Sequence, residues 1–365
     1  MKTIYLIAGA RPNFMKVAPI IRALQASKRF SFKLIHTGQH YDHEMSEVFF
    51  EELGIPKPDF HLNAGGGSHA QQTAKIMTAF EDICLHELPD CVLVVGDVNS
   101  TLACAIVAKK NNVPVAHVEA GLRSGDRRMP EEINRLVTDA ISDWFFVTEP
   151  AGVDNLLREG KAEDAVFFVG HVMIDNLLYQ SAKLESLDRC IFESELIKKR
   201  YANYGVVTLH RPSNVDHEPF LSAIAGALRK ISERLPLVFP VHPRTKGNLE
   251  KFGIDLGERV VITKPLSYME FLNLWKDAAL ILTDSGGLQE ETTALGIPCL
   301  TLRENTERPV TLDQGTNVLV GTDPEMIYRE AELALDGMGK KGRCPALWDG
   351  RAAERIVDIL TLQLA

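Results

Sequence analysis

The feature that most constrains this chain is an alternation of short, continuously apolar segments with longer segments of helical periodicity. In the first half, the apolar segments are residues 3–8, 33–37, 91–96, 114–118 and 144–148. A strand that is apolar at every position, instead of at every second one, is buried on both faces of its sheet. Strand, helix and strand joined by short connections therefore predict a parallel sheet with helices on both faces.

The same alternation begins again after residue 205. Further strands are predicted at 205–209, 237–241, 260–263, 279–283, 298–302 and 317–320. Residues 174–204, between the two series, are polar and helical without a predicted strand. Since 365 residues fit about two domains, we predict an α/β chain with two doubly wound domains, over residues 1–172 and 173–350. A final amphipathic helix is predicted within residues 351–365.

The composition excludes several classes of protein. Hydrophobic residues make up 45% and charged residues 24% of the chain, which is the mix of a globular protein. Lys and Arg number 40 against 49 Asp and Glu, a net charge of −9, so nucleic acid is not an expected partner. No apolar stretch reaches the ~18 residues of a membrane span. The 6 cysteines form no C-x-x-C pair, which suits a reducing, cytoplasmic compartment and predicts no zinc or other metal site.

Acidic residues follow two strands of the first series at the point where each strand ends. Asp97 follows the segment 91–96, and Glu119 follows 114–118. In an open parallel sheet these ends lie at one edge, where ligands bind. A single such residue is more often a turn former or a helix cap. Two neighbouring carboxylates, however, suit general acid and base catalysis, because their repulsion favours shifted pKa values.

Glu131 and Glu132 open a predicted helix directly after Pro130. Acidic residues in a first helical turn are favoured by the helix dipole alone. Arg135, four residues after Glu131, is also placed to pair with it. Both structural interpretations stand beside a catalytic one.

The second series carries a candidate anion site. Polar residues again follow its strands, at His210, His242 and Asp284. Ser285-Gly286-Gly287 comes directly before a predicted helix, and the free N–H groups of a helix start attract anions. Arg11 and Arg308 can pair bidentately with phosphate oxygens. Because neither a P-loop nor a dinucleotide fingerprint occurs, the pattern favours a phosphate or diphosphate held by other means.

A series of short motifs runs through both halves in a fixed order. They are Gly9-Ala10-Arg11-Pro12-Asn13-Phe14-Met15-Lys16, Thr37-Gly38-Gln39-His40, Gly96-Asp97, His117-Val118-Glu119-Ala120-Gly121-Leu122-Arg123, Pro130-Glu131-Glu132-Ile133-Asn134-Arg135, His210-Arg211, His242-Pro243, Asp284-Ser285-Gly286-Gly287-Leu288-Gln289-Glu290-Glu291 and Thr306-Glu307-Arg308-Pro309. In these motifs the chain resembles the non-hydrolysing UDP-N-acetylglucosamine 2-epimerases over essentially its whole length.

The resemblance implies a GT-B fold, with two Rossmann-like domains, an active site in the cleft between them and a C-terminal helix that packs back on the first domain. It implies a UDP-sugar substrate, no cofactor and no metal, and with it we expect a homodimer. The catalytic group would be Asp97, Glu119, Glu131 and His210. The residues expected to bind the substrate and its UDP are Arg11, Lys16, His242, Phe271, Ser285, Gly286, Gly287, Glu291 and Arg308, of which Phe271 would pack on uracil and Glu291 would take the ribose hydroxyls.

The reaction expected from this resemblance is reversible epimerisation at C2 of a UDP-N-acetylhexosamine, through loss and re-addition of UDP. Gln39 and His40 match part of an activator site of some relatives. Residues 45–58 resemble relatives that act on a UDP-diacetamido-glucuronate, so that sugar is an alternative substrate. The residues also leave open a GT-B glycosyltransferase that uses a UDP-sugar, a hydrolysing epimerase and a UDP-sugar sensor.

Overall fold

The computed structural model describes residues 1–38, 47–189 and 192–365. The chain divides into two compact units. The first comprises Met1–Tyr179 with Ala346–Ala365, and the second comprises Gln180–Pro345. Gln39, His40 and the start of the helix predicted at 43–53 lie outside the described residues.

The sheet of the first unit is entirely parallel. Its strands, within the described ranges, run in the spatial order 3-2-1-4-5-6-7. The strand order reverses between the first and fourth strands, which is the switch point where doubly wound sheets bind ligands. The strands are β1 (Thr3–Ala8), β2 (Ser31–His36), β3 (Phe60–His61), β4 (Cys91–Val95), β5 (Val115–Val118), β6 (Trp144–Val147) and β7 (Val166–Phe168).

Helices connect these strands, and a short 3-10 turn precedes β7. The core lies between sheet and helices: β1 and β4 are buried almost throughout, and Phe80 and Cys104 pack against them. The helices are α1 (Arg11–Ser27), α2 (Glu47–Leu53), α3 (His69–His86), α4 (Asn99–Lys110), α5 (Pro130–Ile141), α6 (Pro150–Arg158) and α7 (Val172–Ser186).

The first helix begins earlier than its sequence pattern predicts. We expected a helix from Lys16, with residues 9–13 as a loop, but α1 starts at Arg11. Pro12 fits the first turn, because an N–H there has no helical partner to lose. The Asn13 side chain accepts the N–H groups of Gly9 and Ala10 at 3.2 and 3.0 Å. Arg11 and Lys16 therefore lie on a helix and not on a loop.

The second unit repeats the same winding. Its parallel strands lie in the order β10-β9-β8-β11-β12-β13, so the switch point falls between β8 and β11. The strands are β8 (Gly205–Thr208), β9 (Leu237–Pro240), β10 (Val260–Thr263), β11 (Leu280–Thr283), β12 (Cys299–Thr301) and β13 (Asn317–Leu319). The helices are α8 (Glu193–Arg200), α9 (Pro212–Val215), α10 (Glu218–Ser232), α11 (Pro243–Lys251), α12 (Tyr268–Trp275), α13 (Gly286–Leu295), α14 (Pro309–Asp313) and α15 (Pro324–Leu335).

The chain ends in helix α16 (Ala352–Gln363), which packs on α1 within the first unit. The carboxylate of Asp175 accepts the N–H groups of Ala352 and Ala353 at 3.1 and 2.7 Å. These donors belong to the start of a helix, where no intrahelical acceptor exists. Trp348 Nε1 donates to the carbonyl of Thr148 at 3.1 Å. The last segment is thus joined to the first unit by both hydrogen bonds and apolar packing.

The predicted class, an α/β chain with two doubly wound parallel sheets, is confirmed. Each strand predicted from an apolar segment is present, with ends shifted by at most two residues. β3 and β7 were not predicted, because they are only two and three residues long. Within the described ranges, no helix combines the length and the apolarity that a membrane crossing requires.

Candidate active site

Asp97 and Glu119 lie at the ends of neighbouring strands of the first unit. β4 and β5 pair in parallel, Asp97 lies two residues beyond Val95, and Glu119 follows Val118 directly. Gly96, directly before Asp97, lies beside the side chains of Lys16 and Glu119. A Cβ on Gly96 would lie 3.1 Å from Lys16 Nζ and 3.6 Å from Glu119 Oε2. The glycine therefore lets the Lys16 and Glu119 side chains lie against the backbone just before Asp97.

Glu119 is buried and has a cation beside it. Its Oε2 is 2.5 Å from Lys16 Nζ, and the residue is 3% exposed. A buried carboxylate is costly unless it is paired, so Lys16 offsets part of that cost. The backbone of Glu119 is left-handed, with φ of 68°. Non-glycine residues adopt this conformation rarely, and they are often found at functional sites.

Asp97 is held by Arg135, which bridges two carboxylates. Arg135 donates from one terminal nitrogen to Asp97 Oδ2 at 2.5 Å, and from Nε and the other terminal nitrogen to Glu132 Oε2 at 3.0 and 2.8 Å. The pairing of Arg135 with Glu131 that the spacing favoured is not formed among the described residues. The reason is that Glu132 points inward, where it also accepts the N–H groups of Ser124 and Gly125 at 3.0 Å.

The environment of Glu132 keeps that carboxylate ionised. Burial raises its pKa, but hydrogen bonds from the Ser124 N–H, the Arg135 guanidinium and the Gly125 N–H lower the pKa further, to below the usual value. Glu132 therefore holds the Arg135 guanidinium through Nε and one terminal nitrogen, while the other terminal nitrogen binds Asp97. Held in this way, Arg135 orients the Asp97 carboxylate from α5.

Glu131 and Asp97 line one hollow of about 340 Å³ at the start of α5. The same hollow is lined by Asn99 and Asn134, and Asn134 Nδ2 donates to the Asp97 carbonyl at 2.8 Å. The structure thus brings Asp97 and Glu131 together in a hollow, and Asp97 and Glu119 together at adjacent strand ends. Arg135 and Asn134 lie in the motif at residues 130–135, but they were not predicted as partners of Asp97.

Arg11, the cation predicted to hold a diphosphate, lies in the first turn of α1. Its guanidinium carbon is 5.2 Å from the centroid of the Phe49 ring, which is within cation–π distance. The residue is partly exposed. Arg11 is therefore oriented by an aromatic ring while part of its surface stays accessible.

In the second unit, His210 and Asp284 meet across the switch point between β8 and β11. His210 Nδ1 is 2.8 Å from Asp284 Oδ1, and the His210 side chain is 54% exposed whereas Asp284 is fully buried. Burial raises the pKa of Asp284, but the hydrogen bond and charge of His210 and the N–H groups of Arg211 and His210 hold it below its usual value. An ionised Asp284 fixes Nδ1 as the donor and leaves Nε2 of the ring for proton exchange.

The residues predicted to hold an anion lie at the start of α13. Ser285 is the N-cap and its hydroxyl accepts the N–H of Leu288. A Cβ on Gly286 would lie 3.1 Å from Glu307 Oε1, so a carboxylate lies beside this helix start. Burial raises the pKa of Glu307, but the charges of Arg308 and Arg303 and a hydrogen bond from Arg303 lower it to about 2. Arg303 and Arg308 thus keep Glu307 ionised beside this helix start.

Arg308 and Glu291 lie at the buried side of this site. Arg308 is 8% exposed and forms an ion pair with Glu290. Burial and the neighbouring Glu290 raise the pKa of Glu291 to about 8, although a hydrogen bond with Tyr268 opposes the shift. Near neutral pH Glu291 is therefore mainly a protonated acid, able to donate a hydrogen bond as well as accept one.

His242 and Phe271 lie on two other helix starts of the second unit. His242 is exposed and caps α11, where its Nδ1 accepts the N–H of Arg244 at 3.2 Å. Phe271 lies in the first turns of α12, partly buried. The cap accounts for His242 as a structural residue, and the substrate-binding roles of both residues stay predictions.

Comparison with known proteins identifies the family. A family model described as UDP-N-acetylglucosamine 2-epimerase matches residues 22–361. The chain belongs to this family. The UDP-N-acetylglucosamine 2-epimerase of Methanocaldococcus jannaschii is 44% identical, over 98% of both chains. The UDP-2,3-diacetamido-2,3-dideoxy-D-glucuronate 2-epimerase of Pseudomonas aeruginosa is 41% identical, over 98% of this chain and 99% of that relative.

A solved structure of the family supports the same assignment. The crystal structure of the Methanocaldococcus jannaschii UDP-GlcNAc 2-epimerase in complex with UDP-GlcNAc and UDP matches with a TM-score of 0.86 and 42% identity, over 99% of this chain and 100% of that one. The family resemblance and the GT-B-like class predicted from the motifs are therefore confirmed. This family member is an epimerase, an enzyme of the isomerase class.

Proposed function

We propose that this epimerase interconverts UDP-N-acetylglucosamine and UDP-N-acetylmannosamine by inverting C2. The observation that carries the proposal is the placement of Asp97 and Glu119 at neighbouring strand ends, with Glu131 beside Asp97 in one hollow, in a chain that belongs to this family. Several carboxylates close together suit a reaction in which a proton is removed from one face of a carbon and returned to the other.

The C2 proton of a pyranose is hardly acidic, because it is not next to a carbonyl group. If the C1–O bond breaks and UDP leaves with the bonding electron pair, positive charge grows at C1 and the C2 proton becomes acidic. A carboxylate then takes that proton, and C1 and C2 become the double bond of a 2-acetamidoglucal. Return of the proton to the opposite face, with re-addition of UDP at C1, completes the epimerisation.

The departing UDP would be stabilised by groups that favour negative charge. The start of α13 at Ser285, Gly286 and Gly287 would hold the diphosphate, with Arg11 and Arg308 as cations. The structure of α13 supports this role, since its first N–H groups follow the Ser285 N-cap and have no acceptor within the helix.

The rest of the nucleotide would be bound by the second unit. Glu291 would take the ribose hydroxyls, and its raised pKa supports a protonated acid that shares hydrogen bonds with them. Phe271 would pack on uracil and His242 would contact the substrate. Lys16 would contact the substrate while it pairs with Glu119. His210, oriented by Asp284, would act with the carboxylates in proton transfer.

A second substrate is supported by one comparison. The Pseudomonas aeruginosa relative, named for a UDP-diacetamido-glucuronate, is nearly as similar as the Methanocaldococcus jannaschii one, at 41% against 44% identity. The C2 chemistry is the same for both sugars. We therefore propose UDP-N-acetylglucosamine first and UDP-2,3-diacetamido-glucuronate second.

The proposal is tested by incubating the protein with each UDP-sugar in D2O and following C2 by proton NMR. Deuterium at C2 together with two epimeric UDP-sugars is the expected result, and the sugar that reacts faster is the substrate. Release of a free mannosamine derivative would assign the hydrolysing reaction instead. No exchange with either sugar would overturn the proposal.

Two variants test the catalytic carboxylates. Asp97→Asn and Glu119→Gln should abolish exchange at C2 while UDP still binds, because both keep the size of the side chain but cannot take a proton. Glu87→Gln is the matched control, since Glu87 is an exposed carboxylate in a surface ion pair with Lys33. Wild-type exchange rates in both site variants would remove these residues from the mechanism.

A homodimer and a cytoplasmic location are also proposed. The location is supported by the cysteines, since Cys84, Cys91, Cys104 and Cys299 are buried free thiols, which persist in reducing compartments. Light scattering of the purified chain tests the dimer, and fractionation of the source cells tests the location.

A further inference from the structure

A fully buried histidine lies two residues before Glu119 and has hydrogen bonds at both ring nitrogens. His117, on β5, is 0% exposed. Its Nδ1 is 2.6 Å from Asp139 Oδ1, and its Nε2 is 2.9 Å from the carbonyl oxygen of Gly96. A carbonyl oxygen only accepts, so Nε2 must carry a proton and donate it.

The state of Asp139 decides the state of the other ring nitrogen. Burial raises the pKa of Asp139, but the charge and hydrogen bond of His117 and the guanidinium of Arg123 hold it below its usual value. An ionised carboxylate only accepts, so Nδ1 also donates. The ring of His117 therefore links the Asp139 carboxylate on α5 to the carbonyl of Gly96.

The second oxygen of Asp139 contacts residues that follow Glu119 in the sequence. Asp139 Oδ2 accepts the N–H of Gly121 at 3.0 Å and a guanidinium nitrogen of Arg123 at 2.8 Å. Arg123 in turn pairs with Glu159 at 2.6 Å. Arg123 thus supplies a cation to the buried Asp139 carboxylate, which offsets part of the cost of burying it.

The connection from Gly96 through His117 and Asp139 to Gly121 joins the backbone on either side of the two proposed catalytic carboxylates. Gly96 immediately precedes Asp97, and Gly121 lies two residues after Glu119. Between them Glu119 has φ of 68°, a conformation that non-glycine residues adopt rarely. A strained backbone of this kind persists only where its surroundings hold it in place, and the bond from Gly121 to Asp139 provides such a hold.

We propose that His117 and Asp139 are positioning residues, whose hydrogen-bonded bridge sets the separation of Asp97 and Glu119 and holds the strained backbone at Glu119. This rests on the proposed catalytic roles of those two carboxylates. Both side chains are fully buried, and the bridge acts through the carbonyl of Gly96 and the N–H of Gly121.

The test compares two identical substitutions linked to opposite ends of β5. Asp139→Asn removes the charge from the bridge. Asp143→Asn is the control, since Asp143 also accepts a β5 N–H, that of Val115 at 2.7 Å, and pairs with a cation, Lys109. For Asp139→Asn we expect kcat for C2 exchange to fall roughly 10- to 100-fold, the usual effect of removing an outer partner of a site group, with KM little changed. For Asp143→Asn we expect kcat to be unchanged.

A second measurement needs neither Asp139→Asn nor a substrate. Nitrogen-15 spectra of the histidine rings in wild-type protein, assigned with His117→Gln, should show a hydrogen bond at each ring nitrogen of His117. A His117 nitrogen without a hydrogen bond, or a folded Asp139→Asn protein with wild-type kcat, would overturn the proposal. If Asp139→Asn does not fold, kcat of His117→Gln is compared with that of Asp143→Asn instead, and a wild-type value would overturn the proposal. If wild-type protein epimerises neither UDP-sugar, the proposed function fails, and the ring spectra still test the bridge.

Discussion

His210 Nδ1 lies 2.8 Å from Asp284 Oδ1, across the ends of the paired strands β8 and β11. Asp284 is fully buried and also accepts the N–H groups of His210 and Arg211 and a hydrogen bond from the Asn214 side chain at 3.2 Å. One carboxylate therefore fixes both the backbone and the ring of the exposed histidine. The same arrangement, a carboxylate that sets the tautomer of a histidine, recurs in hydrolytic triads.

Asp284→Asn tests whether this orientation matters for the reaction. An asparagine amide retains one acceptor and offers N–H groups where donors already lie, so the ring of His210 loses its fixed tautomer. We expect kcat for C2 exchange to fall by about 10²- to 10⁴-fold, the upper figure being the loss seen when a triad aspartate is changed in the same way. UDP affinity, measured by calorimetry, should change little. If His210→Gln abolishes exchange and Asp284→Asn leaves it near wild type, the orienting role is wrong.

The ion pair of Lys16 with Glu119 predicts a non-additive effect on stability. Removing one partner leaves the other charge buried without its counter-charge, which costs roughly 3–5 kcal/mol. Removing both avoids that cost. We therefore expect the double variant to lose less thermal stability than the sum of the losses in Lys16→Met and Glu119→Gln.

Differential scanning calorimetry of the four proteins measures this coupling. Lys33→Met with Glu87→Gln is the matched control, because that ion pair is partly exposed at the surface and such pairs contribute about 0–1 kcal/mol. Additive changes at Lys16 and Glu119 would show that the two side chains do not depend on each other in solution.

Much of the fold could be predicted from the chain, because a buried parallel strand must be apolar at every position. β1 and β4 are such strands, and their predicted segments match the structure. The start of α1 was placed too late because Pro12 looks like a loop residue, although a first helical turn accepts it. β3 and β7 are too short to give a periodicity.

The candidate site could be predicted as residue types at strand ends but not as pairs. Spacing on a helix favoured Glu131 as the partner of Arg135, whereas the partners are Glu132 and Asp97. The choice depends on which side of α5 faces the sheet, and Asp97 comes from a different strand. The bridge from His117 to Asp139 is likewise a contact between β5 and α5, 22 residues apart in sequence.

The raised pKa of Glu291 predicts a loss of stability with rising pH. Its pKa in the folded protein, about 8, lies above the ordinary 4.5. The stability that protonation provides is complete below the ordinary value and is lost as pH rises through about 8. Glu291→Gln mimics the protonated acid, so it should match wild type near pH 5 and be more stable near pH 9, by an amount on the order of a few kcal/mol.

Thermal midpoints across this pH range provide the measurement, with the exposed Glu87→Gln as the control that should follow wild type at every pH. A difference between Glu291→Gln and wild type that does not grow with pH would show that Glu291 ionises normally.

Two glycines that follow Glu119 share a backbone conformation, so alanine substitutions there distinguish the cost of that conformation from the cost of steric crowding. Gly121 and Gly125 have φ of 78° and 73°. A Cβ on Gly121 would lie 2.3 Å from the carbonyl oxygen of Gly152, while a Cβ on Gly125 meets nothing within 4 Å. Gly125→Ala should therefore cost only the left-handed conformation, about 1–2 kcal/mol. Gly121→Ala should cost roughly 3 kcal/mol or more, because the backbone must also move away from Gly152.

That movement also breaks the Gly121 bond to Asp139, so C2 exchange should fall in Gly121→Ala but not in Gly125→Ala. Equal midpoints and equal exchange rates in the two variants would show that the contact at Gly152 is not formed in solution.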